Sequence, residues 1–259
     1  MEITFYKYQG TGNDFVMIDN RQAFFDIKNQ ALVASLCERR MGIGADGLIL
    51  LQNRAGYDFE MVYFNADGRL GSMCGNGGRC TVQFAKQLGV ITDKAYFLAA
   101  DGDHYASISS DGTVSLKMND VQAIECADNF YFLNTGSPHY VEFVEDLNQY
   151  EVFQKGRSIR YNDRFKAEGT NVNFAELGQL DEPMFVRTYE RGVEDETFSC
   201  GTGVTATAIA ASFKGRTNPV KIKTLGGNLE VAFNRNGEMV TDIYLIGPAV
   251  LVFEGKISV

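Results

Sequence analysis

The sequence predicts an α+β fold made of two similar halves. Short runs rich in β-branched and aromatic residues recur between turn residues along the 259-residue chain, as is typical of strands and hairpins. Three longer stretches, at residues 29–40, 76–88 and 201–214, have the composition of helices. A third observation, an internal repeat, divides these elements into two sets that follow the same order.

The predicted strands alternate or are continuously apolar over four to eight residues. In chain order they are EITFYKY, FVMID, GLILLQN, FEMVYFN, AYFLAA, HYASISS, TVSLKMN, HYVEFVED, PMFVRTYE, VKIKTL, LEVAFN and YLIGPAVLVFE. Gly89 and Gly215 follow the second and third helical stretches, where a C-cap glycine is expected. The third stretch is so rich in Ala, Thr and Ile that we expect it to be buried on all sides.

The repeat appears when the chain is compared with itself at an offset of about 125 residues. Thr11-Gly12-Asn13 returns as Thr135-Gly136-Ser137, and Cys74-Gly75-Asn76-Gly77 returns as Cys200-Gly201-Thr202-Gly203. Two further pairs of motifs lie between them in the same order. We therefore predict one lobe over residues 1–118, which carries Cys74, and a second over residues 119–249, which carries Cys200.

Composition excludes several classes of protein. The 24 basic residues are outnumbered by 33 acidic ones, giving a net charge of −9, which disfavours a nucleic-acid surface. No apolar run approaches the length of a membrane helix, and no secretory signal begins the chain. We expect a cytoplasmic protein with no membrane partner. Five irregularly spaced cysteines fit reduced thiols better than a disulfide framework, and the two histidines lack the spacing of a metal site.

Cys74 and Cys200 each precede a glycine-containing helix start. The first turn of a helix offers unpaired N–H groups and the positive end of the dipole, so it attracts anions and favours a thiolate. Glycines there let a carboxylate approach the backbone closely. Each turn thus combines a reactive thiol with a carboxylate site.

Two such turns meet the requirements for inverting an amino acid without a cofactor. The charge that develops when the α-hydrogen leaves must be held on the carboxylate by preorganised donors. A base is needed on one face of the carbon and an acid on the other, and a thiolate and a thiol serve both directions. Cys74 and Cys200 are therefore the predicted acid and base, with the roles of the two left open.

At these residues the sequence resembles the diaminopimelate epimerase family. The similar stretches run through the whole chain and are Lys7–Phe15, Gly42–Gly47, Tyr63–Gly68, Met73–Cys80, Asn134–His139, Gly169–Phe174, Tyr189–Gly192 and Cys200–Gly203. The resemblance implies two pseudo-symmetric lobes, each a curled, mainly antiparallel sheet around a central helix. It also implies that the last strand, at about residues 250–259, returns to the first lobe.

The resemblance further implies a set of substrate-binding residues. These are Asn13, Asn65, Gly75, Asn76, Asn171, Glu190, Arg191, Gly201 and Thr202, with Ser137 and His139 in supporting roles. Two positions depart from the family pattern, because Ser137 replaces an asparagine of many relatives and Gly47 a glutamine of some. Asp46 and Asp67 lie in predicted turns, where a capping or solvated carboxylate is usual.

The function implied is an isomerase that interconverts LL- and meso-diaminopimelate without a cofactor or metal, in the biosynthesis of lysine and peptidoglycan precursors. A homodimer is the working hypothesis for the oligomeric state, which the sequence itself does not determine. Two alternatives stay open: another two-thiol racemase, such as one acting on proline or hydroxyproline, and a non-catalytic thiol redox or binding protein. Glu190 and Arg191 disfavour a proline racemase, because proline has no distal groups for them to bind.

Overall fold

The structure is a computed structural model and describes residues 2–180 and 182–259. Its strands are β1 (Glu2–Gly10), β2 (Asn13–Asp19), β3 (Gly47–Gln52), β4 (Phe59–Asn65), β5 (Lys94–Ala99), β6 (Gly102–Ile108), β7 (Val114–Lys117), β8 (Ile124–Cys126), β9 (Tyr131–Asn134), β10 (Pro138–Phe143), β11 (Asn171–Glu176), β12 (Met184–Glu190), β13 (Asp195–Thr197), β14 (Val220–Thr224), β15 (Gly227–Asn236), β16 (Met239–Gly247) and β17 (Val250–Ser258). Its helices are α1 (Gln30–Cys37), α2 (Gly75–Gln87), α3 (Val152–Arg160) and α4 (Gly201–Ser212), with a short 3-10 helix at Leu147–Gln149.

The chain forms two compact units. The first comprises Met1–Leu116 and Gly247–Val259, and the second comprises Lys117–Ile246. The C-terminal strand β17 belongs to the first unit, where it pairs with β1 along its length.

In the first unit, antiparallel and parallel pairings alternate around one helix. β1 is antiparallel to β2, β2 parallel to β3, β3 antiparallel to β4 and β4 parallel to β5. β6 and β7 continue the sheet in antiparallel pairs. Helix α2 contacts strands β1, β2, β3, β4 and β6, and residues Gly75–Val82 of this helix are all buried.

The second unit repeats this order of pairings. β9 is antiparallel to β10, β10 parallel to β11, β11 antiparallel to β12 and β12 parallel to β14, and β15 and β16 follow in antiparallel pairs. Its central helix is α4, which contacts β9–β12, β14 and β15. Ten of the twelve residues of α4 are buried, so the prediction of a helix surrounded by sheet is confirmed.

The repeat extends to strand register. β2 and β3 pair from Phe15 opposite Gly47, and β10 and β11 pair from His139 opposite Asn171. This register sets His139 and Asn171 side by side, and the hydrogen bonds described below connect both residues to the start of α4.

Some elements differ from the predictions. Helix α3 and strands β8, β9, β11 and β13 were not predicted, and the run YLIGPAVLVFE, predicted as one strand, forms the end of β16 and the start of β17. Pro248 lies at the break, since proline cannot donate a backbone hydrogen bond to a strand ladder. The glycine C-caps are confirmed, because Gly89 and Gly215 have φ of 69° and 88°.

Within the described ranges, no helix combines the length and hydrophobicity needed to cross a bilayer. The same part of the chain contains no group of three His, Cys, Asp or Glu side chains suited to hold a metal ion. None of the five cysteines forms a disulfide bond.

Candidate active site

Cys74 and Cys200 occupy the same structural position in the two units. Each is the N-cap of a central helix, with φ and ψ of −114° and 116° at Cys74 and of −111° and 111° at Cys200. The carbonyl oxygen of each accepts the first helical hydrogen bond, from Gly78 at 2.7 Å and from Val204 at 2.8 Å. Both thiols therefore adjoin a helix start whose first N–H groups have no partner within the helix.

The sulfur of Cys74 faces the side chain of Asn13. The Sγ–Oδ1 distance is 3.5 Å, and Asn13 donates through Nδ2 to Asp46 at 2.6 Å. Because a carboxylate only accepts, this bond fixes the amide with its carbonyl oxygen towards the thiol. Asn76, the second residue of α2, also donates to that oxygen at 3.5 Å.

A group of charged side chains holds the Asp46 carboxylate to which Asn13 donates. Arg39 binds Asp46 at 2.8 Å and Asp14 at 2.6 Å, and Lys7 binds Asp14 at 2.7 Å. Burial opposes ionisation of Asp14, but hydrogen bonds from Arg39 and Lys7 outweigh it and lower its pKa to about 2. This charged group was not predicted from the sequence, in which Asp46 was interpreted as a capping or solvated carboxylate of a turn. In the structure Asp46 anchors Asn13.

The sulfur of Cys200 faces a hydroxyl instead. Its Sγ lies 3.4 Å from the Oγ1 of Thr202, and that oxygen lies 2.9 Å from the Nε2 of His139. The Oγ of Ser137 is also 3.0 Å from the same ring nitrogen. His139, Ser137 and Thr202 thus form one hydrogen-bonded group beside Cys200.

The tautomer of His139 follows from Asn173, a residue given no role from the sequence. The amide nitrogen of Asn173 donates to Tyr140 O at 2.9 Å and lies 3.1 Å from His139 Nδ1, while Thr188 donates to its oxygen at 2.9 Å. Nδ1 therefore accepts, and the ring proton is on Nε2, directed at Thr202 and Ser137. Gly203 packs on this amide so closely that an added Cβ would lie 2.3 Å from Asn173 Oδ1.

The buried imidazole of His139 should make the stability of the protein depend on pH. Burial lowers the pKa of His139 from 6.5 to about 3. Between pH 6.5 and pH 3 this imidazole is therefore protonated in the unfolded chain but neutral in the folded chain. The free energy of unfolding should fall as pH drops from 6.5 towards 3, by up to about 1.4 kcal/mol per pH unit from this group. Urea unfolding at pH 7 and pH 5 should show a smaller decrease in His139→Asn than in the native protein. Equal decreases in the two proteins would contradict a neutral buried imidazole.

Of the remaining predicted residues of the second unit, Asn171 joins the same group, while the side chains of Arg191 and Glu190 bond elsewhere. Asn171 donates to Ser137 Oγ at 3.1 Å and accepts from the backbone N–H of Arg191 at 2.9 Å. The Arg191 guanidinium donates to Glu168 O at 2.9 Å, and Glu190 accepts from Thr197 at 2.9 Å. Ser137 therefore connects the Cys200 turn to Asn171 and, through Asn171, to the backbone of Arg191.

Asn65 lies apart from these hydrogen-bonded groups. It ends β4 on an exposed turn, where its backbone N–H bonds to Arg69 O at 2.9 Å. Its side-chain oxygen would lie 3.2 Å from a Cβ added at Gly71. The structure thus joins Asn13, Gly75 and Asn76 to Cys74, and Ser137, His139, Asn171, Gly201 and Thr202 to Cys200, while Asn65 stands on its own turn.

Comparison with known proteins agrees with this pattern. The sequence profile of the diaminopimelate epimerase family matches residues 5–124 and 131–252. The chain belongs to the diaminopimelate epimerase family. It is 53% identical to the diaminopimelate epimerase of Flavobacterium psychrophilum over 255 residues, which cover 97% of this chain and 99% of that protein. The predicted family membership is confirmed.

Solved structures confirm the predicted fold class beyond the diaminopimelate epimerase family. A phenazine biosynthesis protein of the PhzF family from Bacillus anthracis has a TM-score of 0.78 and 13% identity, with 100% of both chains covered. A hydroxyproline epimerase from Agrobacterium vitis has a TM-score of 0.71 and 14% identity, with 99% of this chain and 92% of that chain covered. At such identities the similarity concerns the fold alone.

Proposed function

We propose that this protein is a diaminopimelate epimerase that inverts one α-carbon, between the LL and meso forms, with Cys74 and Cys200 as its acid and base. The observation that carries the proposal is the matched N-cap position of the two cysteines in a chain that belongs to this family along nearly its whole length. Its place is the biosynthesis of lysine and of peptidoglycan precursors.

The hydrogen bonds support different protonation states for the two sulfurs at rest. Cys74 faces a fixed carbonyl oxygen, Asn13 Oδ1, which requires a donor and so favours a thiol. Cys200 faces the Thr202 hydroxyl, which accepts from His139 Nε2. Ser137 Oγ, 3.3 Å from that hydroxyl, already accepts from Asn171 and His139, so the Thr202 proton is left to donate to the sulfur. A donated hydrogen bond favours the charged form of its acceptor. We therefore assign the resting thiolate to Cys200.

The proton transfers then balance. The Cys200 thiolate removes the α-proton and becomes a thiol, while the electron pair of the C–H bond moves onto the α-carbon and its carboxylate. The backbone N–H groups of Gly75, Asn76, Gly201 and Thr202 stabilise that charge. The Cys74 thiol gives its proton to the opposite face of the carbon and becomes a thiolate. The reverse reaction starts from this exchanged form.

We assign the remaining polar residues to binding the distal part of the substrate. Diaminopimelate carries a second ammonium and a second carboxylate, for which we assign Glu190, with asparagines, and Arg191 respectively. A guanidinium binds a carboxylate through paired charge-assisted hydrogen bonds. Asn13, Asn65 and Asn171 supply further donors and acceptors. A substrate without the distal groups would leave these side chains unsatisfied.

The activity is tested directly with LL-diaminopimelate. We expect the purified protein to form the meso isomer, and to do so equally well after treatment with a metal chelator. L-Proline and trans-4-hydroxy-L-proline, tested in parallel, should not be inverted. Turnover of either cyclic amino acid in place of diaminopimelate would favour the alternative racemase, and no turnover of any of them would favour a binding protein.

We also propose that the protein is a homodimer formed through β17 in the cytoplasm, where both thiols stay reduced. Among the described residues β17 pairs with β1 alone, and Val250, Leu251, Val252 and Phe253 are exposed by 37–55%. An open, apolar edge strand invites pairing, and antiparallel pairing of two copies is self-complementary.

The dimer is tested by size-exclusion chromatography with light scattering. The native protein should elute as a dimer at micromolar concentration, and Val252→Lys should elute as a monomer, because a charge on the edge strand opposes pairing. Leu225→Lys, at a residue of the second unit exposed by 49%, is the control and should remain dimeric. A native monomer would overturn this proposal.

A further inference from the structure

Arg79 is the largest fully buried side chain of the described residues. It lies on α2, five residues after Cys74, and its guanidinium turns back towards the helix start. Nη2 donates to Thr11 Oγ1 and to Asn76 Oδ1, both at 3.1 Å, and Nη1 donates to Gly75 O at 3.3 Å. Nε donates to Pro248 O at 3.4 Å. All of these acceptors are uncharged.

No carboxylate forms an ion pair with Arg79 in the part of the chain that the structure describes. A buried charge without a counterion is costly, and the positive end of the α2 dipole adds to the cost. Burial lowers the pKa of Arg79 to about 10, which still leaves it charged at neutral pH. The chain therefore keeps a cation at the α2 start despite two effects that oppose it.

The other titratable groups near Arg79 and Cys74 do not neutralise this cation. Burial raises the pKa of Cys80 to about 12 and also raises the pKa of Tyr8, so both are uncharged at neutral pH. On the Asn13 side, Asp46 and Asp14 are paired with Arg39, and Asp14 also with Lys7. The anions left to balance Arg79 are the Cys74 thiolate and a bound carboxylate.

The equivalent position of the second unit carries an uncharged residue and allows a comparison. Thr205 occupies the place of Arg79 in the repeat and donates to Gly201 O at 2.9 Å, as Arg79 donates to Gly75 O. The structural bond to the first carbonyl of the helix therefore needs only a hydroxyl. The guanidinium adds a charge to the Cys74 turn that the Cys200 turn lacks.

We propose that Arg79 is a positioning residue for Cys74, whose thiolate it stabilises with a fixed charge while it holds the Asn76 amide in one orientation. The inference rests on the proposed function, in which Cys74 becomes a thiolate each time it gives up its proton. Asn13 Oδ1 favours the thiol, and Arg79 offsets that preference so that Cys74 takes and gives a proton with similar ease. Because Asn76 Oδ1 accepts from Arg79, its Nδ2 is left to face Asn13.

The test is the titration of the Cys74 thiol without substrate. The rate of alkylation by iodoacetamide is measured against pH, with each cysteine quantified by mass spectrometry. In Arg79→Met we expect the midpoint for Cys74 to rise by about one pH unit, and the midpoint for Cys200 to stay unchanged. Arg79→Lys keeps the charge, so its Cys74 midpoint should lie close to the native value. Its KM should rise, because lysine cannot hold Asn76 in the same way.

Arg216→Met is the matched control. Arg216 is a buried arginine at the opposite end of the equivalent helix, where it donates to Leu180 O and Glu182 O. Its loss should leave both thiol midpoints unchanged. A folded Arg79→Met protein with an unshifted Cys74 midpoint would overturn the proposal.

A second measurement covers the case in which Arg79→Met does not fold. In Cys200→Ala, with Arg79 intact, Cys74 should titrate below the ordinary thiol value of about 8.5, and a midpoint at or above that value would overturn the proposal. Because the thiol titrations contain no substrate, their results stand or fall separately from the epimerase activity. Normal titration with no turnover would refute the proposed function alone.

Discussion

Cys74→Ala and Cys200→Ala are each expected to lower kcat by about a thousandfold. Each substitution removes one of the two groups that transfer a proton, and positioned acids and bases contribute about 10²–10⁴-fold to such rates. The helix starts and their N–H groups remain, so KM should change much less than kcat. Both values are measured by following formation of the meso isomer from the LL isomer.

Cys126→Ser is the control for this pair. Cys126 is exposed on β8 and belongs to neither hydrogen-bonded group, so its replacement should leave kcat and KM unchanged. Near-normal turnover by either alanine variant would refute the assignment of that cysteine as acid or base. A large loss in Cys126→Ser would point instead to general damage from cysteine replacement.

Arg191→Gln is expected to lower kcat/KM for diaminopimelate by about a hundredfold. The reason is the loss of two charge-assisted hydrogen bonds to the distal carboxylate, each worth about 1.5–3 kcal/mol, of which the glutamine amide replaces a part with an uncharged donor. Lysine, which lacks that carboxylate, should be an extremely poor substrate of the native enzyme, and the variant should discriminate between the two amino acids far less. The measurement is kcat/KM for both substrates with both proteins.

Arg164→Gln is the control for the guanidinium. Arg164 forms an exposed ion pair with Glu125 at 2.5 Å, away from the hydrogen-bonded group of Cys200. It should retain the native kcat/KM. If Arg191→Gln keeps full discrimination against lysine, another residue binds the distal carboxylate.

The sequence is informative where local chemistry determines structure. Cys74 and Cys200 could be placed at helix starts because glycine-containing turns precede amphipathic or apolar stretches, and both are observed as N-caps. The pairs of strands around them follow from apolar runs separated by turns. The repeat then required the two halves to share one order of elements.

Elements that depend on tertiary packing escaped prediction. Helix α3 contains Gly156, which weakens a helix locally, yet a Cβ at Gly156 would lie 2.4 Å from the Cβ of Tyr189. Strand β11 carries Asn173, a residue that usually indicates a turn. Its buried amide is satisfied by Thr188, His139 and Tyr140, none of which is near in sequence.

The site shows the same division. The residues beside each cysteine could be identified from motifs, but the orientation of their hydrogen bonds could not. Asp46 directs the amide of Asn13, and Asn173 directs the ring proton of His139. These contacts join residues 33 and 34 positions apart, and they decide which sulfur faces a donor.

The proposed mechanism depends most on the transfer of two different protons by two thiols. The decisive measurement follows the first few per cent of conversion of unlabelled LL-diaminopimelate in D₂O, with the isotopic content of substrate and product determined by mass spectrometry. We expect each product molecule to carry one deuterium at the inverted carbon while the remaining substrate stays unlabelled. Product that keeps the substrate's own hydrogen, or substrate and product labelled at equal rates, would show that one base acts on both faces and would contradict the account.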